Sequence, residues 1–382
     1  MIQFSLIIPT YNEAKNISVL VPRIIKLLSD HSITFEIIVV DDDSPDLTWK
    51  VAQEIAKKDS RVSAIRRIQK KGLSSAVLDG MEVANGQSFG VIDADMQHDE
   101  NILPRMISEL KDYEMVVGSR VVEEGGYGEW GLIRKTMSKI ATLMAKLFLP
   151  ISIGDPMSGY FVLRRELYEE IASEVNPIGF KILLEFIARK KGIKVKEVGY
   201  VFKTRIHGET KMTGSVIQNY LIALYDIRFG KYVSLTFIRY GVTGFLGVFV
   251  NLFGQFIAAE LLGWKGSGEV YSNFLLPSLG VVFGFELAVL SNYILNNLWT
   301  FKKVKKKGIL KNITGFLKFN LVSYAGLVIQ LSVWRFTLEA YQVYLPEYYF
   351  SSATYICNFI GILLATAGNY HLNKHFTWTY KE

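Results

Sequence analysis

Four mainly apolar runs, roughly Phe237 to Leu262, Phe274 to Trp299, Leu317 to Leu338 and Tyr349 to His371, restrict the fold of this chain more than any other feature. Each reaches the ~20 residues that an α-helix needs to cross the hydrocarbon core of a bilayer. Within hydrocarbon no water satisfies the backbone, so such runs have to be helices that bond within themselves. Residues 1–230 hold most of the acids and read instead as a water-soluble α/β domain; two domains are expected, 1–230 and 231–382. Lysine and arginine gather at Arg228, Lys231 and Arg239 around the start of the first run, at Lys302 to Lys311 between the second and third, and at Lys374 and Lys381 after the fourth. The other two loops hold a single lysine, Lys265, and no arginine, with Glu269 and Glu347 among their acids. The basic side is thus the side of the soluble domain, and the positive-inside rule predicts a multi-pass protein of the cell membrane with that domain cytoplasmic. Phe4 to Ile8 is too short for a signal peptide, lacks a basic flank and runs into Pro9.

The apolar half repeats itself. Thr236-Phe-Ile-Arg-Tyr-Gly-Val-Thr aligns with Gly315-Phe-Leu-Lys-Phe-Asn-Leu-Val, and Asn292-Tyr-Ile-Leu-Asn-Asn-Leu-Trp-Thr-Phe301 with Asn369-Tyr-His-Leu-Asn-Lys-His-Phe-Thr-Trp378, at offsets of 79 and 77 residues. Each unit reads as a helical hairpin that starts and ends on the cytoplasmic side. The repeated asparagines suit interhelical hydrogen bonding, with a substrate contact as the other reading. Glu286 inside the second run is a functional candidate, Arg335 near the outer end of the third reads as snorkelling, and the single cysteine, Cys357, as packing.

In the soluble half, Phe4 to Ile8 is an apolar strand that ends at Pro-Thr-Tyr-Asn-Glu, and Ile17 to Leu28 follows with helical periodicity. Glu36 to Val40 ends in Asp41, Asp42 and Asp43, and Ser44 before Pro45 predicts a helix N-cap. Val62 to Ile65, a helix over Ser74 to Ala84 and a strand over Phe89 to Ile92 continue the alternation, which implies a mostly parallel sheet with helices on both faces. That last strand runs into Asp93 and Asp95, placing carboxylates where open α/β sheets bind ligands. Asp93, Asp95 and Gln97 are oxygen donors at alternate positions, suited to Mg²⁺ or Mn²⁺ held jointly with a substrate's phosphates; a solvated loop is the other reading. No Gly-x-Gly-x-x-Gly follows the first strand and no Gly-Lys-Ser/Thr is present, which argues against dinucleotide and P-loop sites. The net charge of +7 fits an anionic substrate or an anionic membrane face. Two amphipathic stretches, 132–149 and 213–229, are expected to be helices that rest the domain on the membrane or, for the first, pack the core behind a basic face.

Several stretches in order carry a resemblance: Ile8-Pro-Thr-Tyr-Asn-Glu13, Val39-Val-Asp-Asp-Asp-Ser-Pro-Asp46, Gly72-Leu-Ser-Ser-Ala76, Asp93-Ala-Asp-Met-Gln-His98, Gly118-Ser-Arg120, Pro156-Met-Ser-Gly159, Asn176-Pro-Ile-Gly-Phe-Lys181 and Arg205-x-x-Gly-Glu-Thr-Lys211. Through them the soluble half resembles the family 2 glycosyltransferases of the GT-A fold and, among these, the dolichyl-phosphate mannose synthases. The apolar half is similar to the four-helix GtrA-type membrane proteins. Asp99 stands where the family often has proline, a departure taken as a loop variation.

The resemblance implies an α/β GT-A domain followed by four transmembrane helices. It implies donor nucleotide-sugar binding by Pro9, Tyr11, Glu13 and Asp42 around base and ribose, with Val40 and Ala94 beside them, and a Mg²⁺ or Mn²⁺ site at Asp93, Asp95 and Gln97. Lys181, Arg205 and Lys211 would lie near the donor diphosphate, and Arg120, Arg134 and Ser138 would receive the acceptor phosphate. Asp95, Arg120 and Arg134 are the implied catalytic residues. The implied reaction passes mannose from GDP-mannose to dolichyl or another polyprenyl phosphate with inversion, among membrane lipids and with no nucleic-acid partner. Alternatives are a UDP-glucose-dependent polyprenyl-phosphate glucosyltransferase, or a lipid-sugar flippase or transporter with a regulatory soluble domain.

Overall fold

Strand β1, Phe4–Thr10, is buried along its whole length because it lies inside the sheet with helices against both of its faces. Its period of two divides it: Phe4, Leu6 and Ile8 pack with helix α1 (Ala14–Asp30), whereas Ile7 packs with helix α3 (Leu73–Val83) on the other side. Strand β2, Phe35–Asp41, divides in the same way, Ile37 and Val39 to one face and Ile38 and Val40 to the other. The computed structural model describes residues 2–68, 72–176, 181–204, 214–264, 270–271, 274–275, 279–344 and 353–380. The chain falls into two units, Met1–Lys231 and Tyr232–Glu382.

Among the described residues the first unit holds a seven-stranded sheet in the order β3-β2-β1-β4-β6-β5-β7. Strands β3 (Val62–Arg66), β4 (Ser88–Val91), β5 (Met115–Ser119) and β7 (Val195–Gly199) join β1 and β2 in parallel pairings, and β6 (Phe161–Arg164) runs antiparallel between β4 and β5. The mostly parallel sheet with helices on both faces is as the alternation predicts. The expected helix start at Pro45 is a correction: helix α2 spans Thr48–Lys58, and Leu47 before it takes a left-handed φ of 63°. Ser44 serves the strand ends instead, its N–H donating to Asp41 Oδ1 at 2.8 Å and its Oγ accepting from the Asn12 N–H at 2.9 Å. Helix α4 (Leu103–Glu109) follows the acidic turn, α5 (Leu132–Phe148) follows β5, α6 (Arg165–Ile171) follows β6, and α7 (Ile182–Arg189) and α8 (Gly214–Phe229) flank β7. Leu132, Ile133, Ile140, Leu143 and Leu147 are exposed on α5.

The second unit holds helices α9 (Leu235–Glu260), α10 (Leu279–Leu295), α11 (Ile309–Tyr344) and α12 (Ala353–Leu372). Three helices among the described residues, not four, are long and apolar enough to cross a membrane: Leu235–Glu260, Leu279–Thr300 and Ile309–Tyr341. The fourth expected span corresponds to α12, whose last turn carries Asn369, Tyr370 and His371, and part of its expected start lies outside the described residues.

The internal repeat has a structural counterpart. Asn296–Thr300 and Asn373–Thr377 are both π-helical turns, and the equivalent rings of Phe301 and Trp378 stack at 4.4 Å and 14°. Tyr293 meets Phe319 at 5.9 Å while its counterpart Tyr370 meets Tyr240 at 5.6 Å, so the two hairpins interlock through matching contacts. Asn292 presses against Gly247, where an added Cβ would come within 2.5 Å of its amide, and Asn369 presses in the same way against Gly326. Gly326→Ala should therefore lower the thermal midpoint of the full chain in detergent, by a destabilisation of about 1–3 kcal/mol; an unchanged midpoint would mean that the contact can relax. The interhelical hydrogen bonds expected of the repeated asparagines are made instead by the pair Asn296 and Asn373, the first accepting from Thr243 Oγ1 at 3.0 Å and the second donating to Tyr240 OH at 3.0 Å, whereas Asn292 Oδ1 and Asn369 Oδ1 have no hydrogen-bond partner among the described residues. Glu286 accepts from Asn320 Nδ2 at 2.7 Å and from Tyr324 OH at 2.6 Å, two donors on α11.

Candidate active site

The parallel strands β1, β2 and β4 end together, and residues at and just past their ends wall a cavity of about 200 Å³. Pro9, Tyr11, Glu13, Asp42, Asp93, Ala94 and Asp95 all line it. Val40, implied beside them, is wholly buried, and its side chain packs in the core on the α3 face. Asp42 is held from two sides: its Oδ2 accepts from the Gly72 N–H at 2.6 Å, and Arg67 Nη1 stands 3.1 Å from its Oδ1. Arg67, only 5% exposed, also pairs with Asp79 at 3.1 Å and donates to Ser75 Oγ at 2.6 Å. It is a positioning residue that no motif marked. Asp41 spends its carboxylate on Ser44 and on Thr10 Oγ1, 3.0 Å away, and so ties the ends of β1 and β2 together.

After β4 the backbone turns through Met96 at a φ of 63°, an uncommon conformation for a side-chain-bearing residue. The turn is held by the Gln97 N–H donating to Asp95 Oδ1 at 3.1 Å. Gln97 Nε2 donates to the Lys203 carbonyl at 3.0 Å, which commits the nitrogen of the amide and leaves its oxygen for another partner. Asp93 Oδ2 lies 3.3 Å from His98 Nε2, whereas Asp93 Oδ1 is buried without a hydrogen-bond partner among the described residues. A Cβ at position 159 would overlap the Asp93 carboxylate, so the approach of Gly159 requires glycine. Burial pushes the Tyr200 phenol up. The Tyr200 hydroxyl lies 2.6 Å from His98 Nδ1, and the other ring nitrogen of His98 faces Asp93.

On the other side of Asp93 and Asp95 opens a larger cavity of about 520 Å³, lined also by Gln97, Arg120, Arg134, Ser138 and Lys181. Its remaining wall is largely apolar, with Met137, Ile140 and Met144 from α5 and Leu221 from α8. Arg120 follows β5 and is 7% exposed; its Nε and Nη2 each donate to Asp155 at 2.7 Å, and its backbone N–H to the same carboxylate at 3.1 Å. Glu197 accepts from the Gly154 and Asp155 N–H groups at 2.7 and 3.0 Å, fixing the loop that carries Asp155. Burial works against the Arg120 charge, but the pair with Asp155 outweighs it and holds the guanidinium above its ordinary range. Burial pushes the Lys181 ammonium down to about 8, with the charge of Arg120 adding to the effect and those of Asp93 and Asp155 opposing it; Nζ donates to the Met157 carbonyl at 3.2 Å. Arg134 lies over Trp130, its guanidinium carbon 3.8 Å from the ring centroid. Arg205 and Lys211 lie outside the described residues. Asp155, Tyr200 and Trp130, like Arg67, could not be picked out in the sequence because each acts through a partner distant along the chain or through a ring face.

Comparison with known proteins adds a second line of observation. Residues 5–172 match glycosyl transferase family 2, and residues 239–378 match the GtrA/DPMS transmembrane domain. A dolichol-phosphate mannosyltransferase of Pyrococcus furiosus is 36% identical over 378 residues, covering 98% of this chain and 99% of that protein. One from Saccharomyces cerevisiae is 35% identical over 251 residues, covering 63% of this chain and 93% of that protein. A solved glucosyl-3-phosphoglycerate synthase from Mycobacterium tuberculosis, in complex with Mg²⁺ and UDP, is similar at 17% identity and a TM-score of 0.46, covering 59% of this chain and 79% of that one, a likeness too weak to argue from.

Proposed function

The chain belongs to the dolichol-phosphate mannosyltransferase family, with a family 2 glycosyltransferase domain followed by a GtrA/DPMS transmembrane domain, and from that premise we propose that it transfers mannose from GDP-mannose to dolichyl phosphate where the two cavities meet. One observation carries the reading: Asp93 and Asp95 line both cavities, one walled by polar strand ends and the other by guanidiniums and apolar side chains. A nucleoside diphosphate sugar suits the first and a phosphate on a hydrocarbon chain suits the second. The anomeric carbon would then lie between them, open to attack from the side opposite its leaving group and giving a β-linked product from an α-linked donor.

Asp93, Asp95 and Gln97 would hold Mg²⁺ or Mn²⁺. The donor set is all oxygen, Asp93 Oδ1 lacks a hydrogen-bond partner among the described residues, and the amide nitrogen of Gln97 is already committed. A bound divalent ion supplies charge that stabilises the departing diphosphate. Lys181, with a pKa of about 8, is mostly charged at neutral pH and adds to that stabilisation on the chain's own account. The acceptor is a phosphate monoester whose second pKa is about 6 by analogy with phosphorylated side chains, so it arrives already anionic. No strong general base is needed; Arg120 and Arg134 have to steer the phosphate oxygen without protonating it. The exposed apolar side chains of α5 support a domain that rests on the membrane, and the lysines and arginines flanking the spans support a cytoplasmic one.

The test is transfer from labelled GDP-mannose, UDP-glucose and UDP-N-acetylglucosamine to dolichyl phosphate by the full chain in detergent with Mn²⁺. Label is expected in the lipid phase from GDP-mannose alone. Glucose in the lipid phase would reassign the donor, and no transfer from any donor with nucleotide binding intact would overturn the acceptor.

A further inference from the structure

Two guanidiniums enter the larger cavity, and one aromatic ring stands against both. The Trp130 ring centroid is 3.8 Å from the guanidinium carbon of Arg134 and 5.2 Å from that of Arg120. Arg120 is buried and clamped by the Asp155 carboxylate, so its place is fixed without the ring. Arg134 is half-buried on the first turn of α5, on a long side chain that loses rotamer freedom wherever it is held. The ring itself is braced edge-on against Phe202 at 5.3 Å and 80° and lies 5.3 Å from the Tyr127 ring. Its Nε1 is buried with no hydrogen-bond partner among the described residues, so what the indole offers here is its face.

We propose that Trp130 is a positioning residue for the acceptor: its π-face holds the Arg134 guanidinium in the cavity beside Arg120, where both can meet a phosphate monoester. The inference rests on the acceptor reading of this cavity. A ring face suits the task because it attracts the cation without supplying a carboxylate that would compete with the phosphate for it.

The experiment measures KM for dolichyl phosphate, kcat and GDP-mannose binding for the full chain in detergent, for the wild type and for W130F, W130L, R134A and the double variant W130L/R134A. W130L should raise the acceptor KM about tenfold, with GDP-mannose binding within about twofold of wild type. W130F, which keeps a ring face, should retain most of the acceptor affinity. The double variant should be no weaker than R134A, because Trp130 acts through Arg134. Effects of W130L and R134A that multiply, or a W130F as impaired as W130L, would overturn the inference. A raised KM in R134A with an unchanged one in W130L would overturn it alone, while an unchanged KM in R134A would overturn the acceptor reading and the inference with it. Should W130L fail to bind GDP-mannose, W130M supplies the flexible apolar replacement for the same comparison.

Discussion

Replacement of Asp95 by alanine is expected to lower mannose transfer about a thousandfold while leaving the domain folded. Asp95 stands at the meeting of the two cavities, only 7% exposed, and accepts from the Gln97 N–H across the turn. Losing that bond costs about 1 kcal/mol, which a domain of this size tolerates. Losing the carboxylate removes one of the proposed oxygen donors for Mg²⁺ or Mn²⁺ and with it the charge that meets the departing diphosphate. The measurement is the initial rate of label transfer to dolichyl phosphate at saturating Mn²⁺, alongside the thermal midpoint. Asp99 is the control: it lies a few residues on and pairs with Lys203 at 3.0 Å, outside both sets of cavity-lining residues. Asp99→Ala should leave most of the activity in place. Substantial transfer by Asp95→Ala would sink the assignment of the carboxylate pair to the metal and diphosphate.

Asp155→Ala should show the other large effect, in stability as well as in activity. Arg120 is 7% exposed, and the Asp155 carboxylate accepts from its Nε, its Nη2 and its backbone N–H. Removing the acid strands a buried guanidinium, a change that costs about 3–5 kcal/mol when one partner of a buried pair is deleted. For a unit of this size the thermal midpoint should fall on the order of 10 °C. Asp155→Asn keeps an acceptor oxygen and should fall less. A midpoint unmoved in Asp155→Ala would mean that the Arg120 charge is compensated elsewhere, and the acceptor site would then not depend on this clamp.

The fold was legible where consecutive residues carry the signal. The apolar runs that became β1, β2 and β4 announced themselves because strands covered on both faces need no polar alternation, and acids at their ends marked the open side of the sheet. Helix α5 was visible in its apolar spacing, and the repeat of the membrane half reappears as paired π-turns and stacked aromatics. The antiparallel β6 was not visible, because strand direction leaves no mark on local periodicity. The Ser44-Pro45 signal misled because Asp41 at the end of its own strand and Asn12 beyond β1 took the serine that a helix would have used.

Sequence by itself thus determined the elements, the division into a soluble and an apolar half, and which side chains could carry phosphate and metal chemistry. Tertiary structure alone decided which of them face one another. Asp155 meets Arg120 from 35 residues away, Tyr200 meets His98 from 102, and Val40 turns into the core while its neighbour Asp42 lines the cavity. Periodicity and turn chemistry are written in neighbouring residues, whereas such pairings depend on the order of strands in the sheet, which no short window of sequence contains.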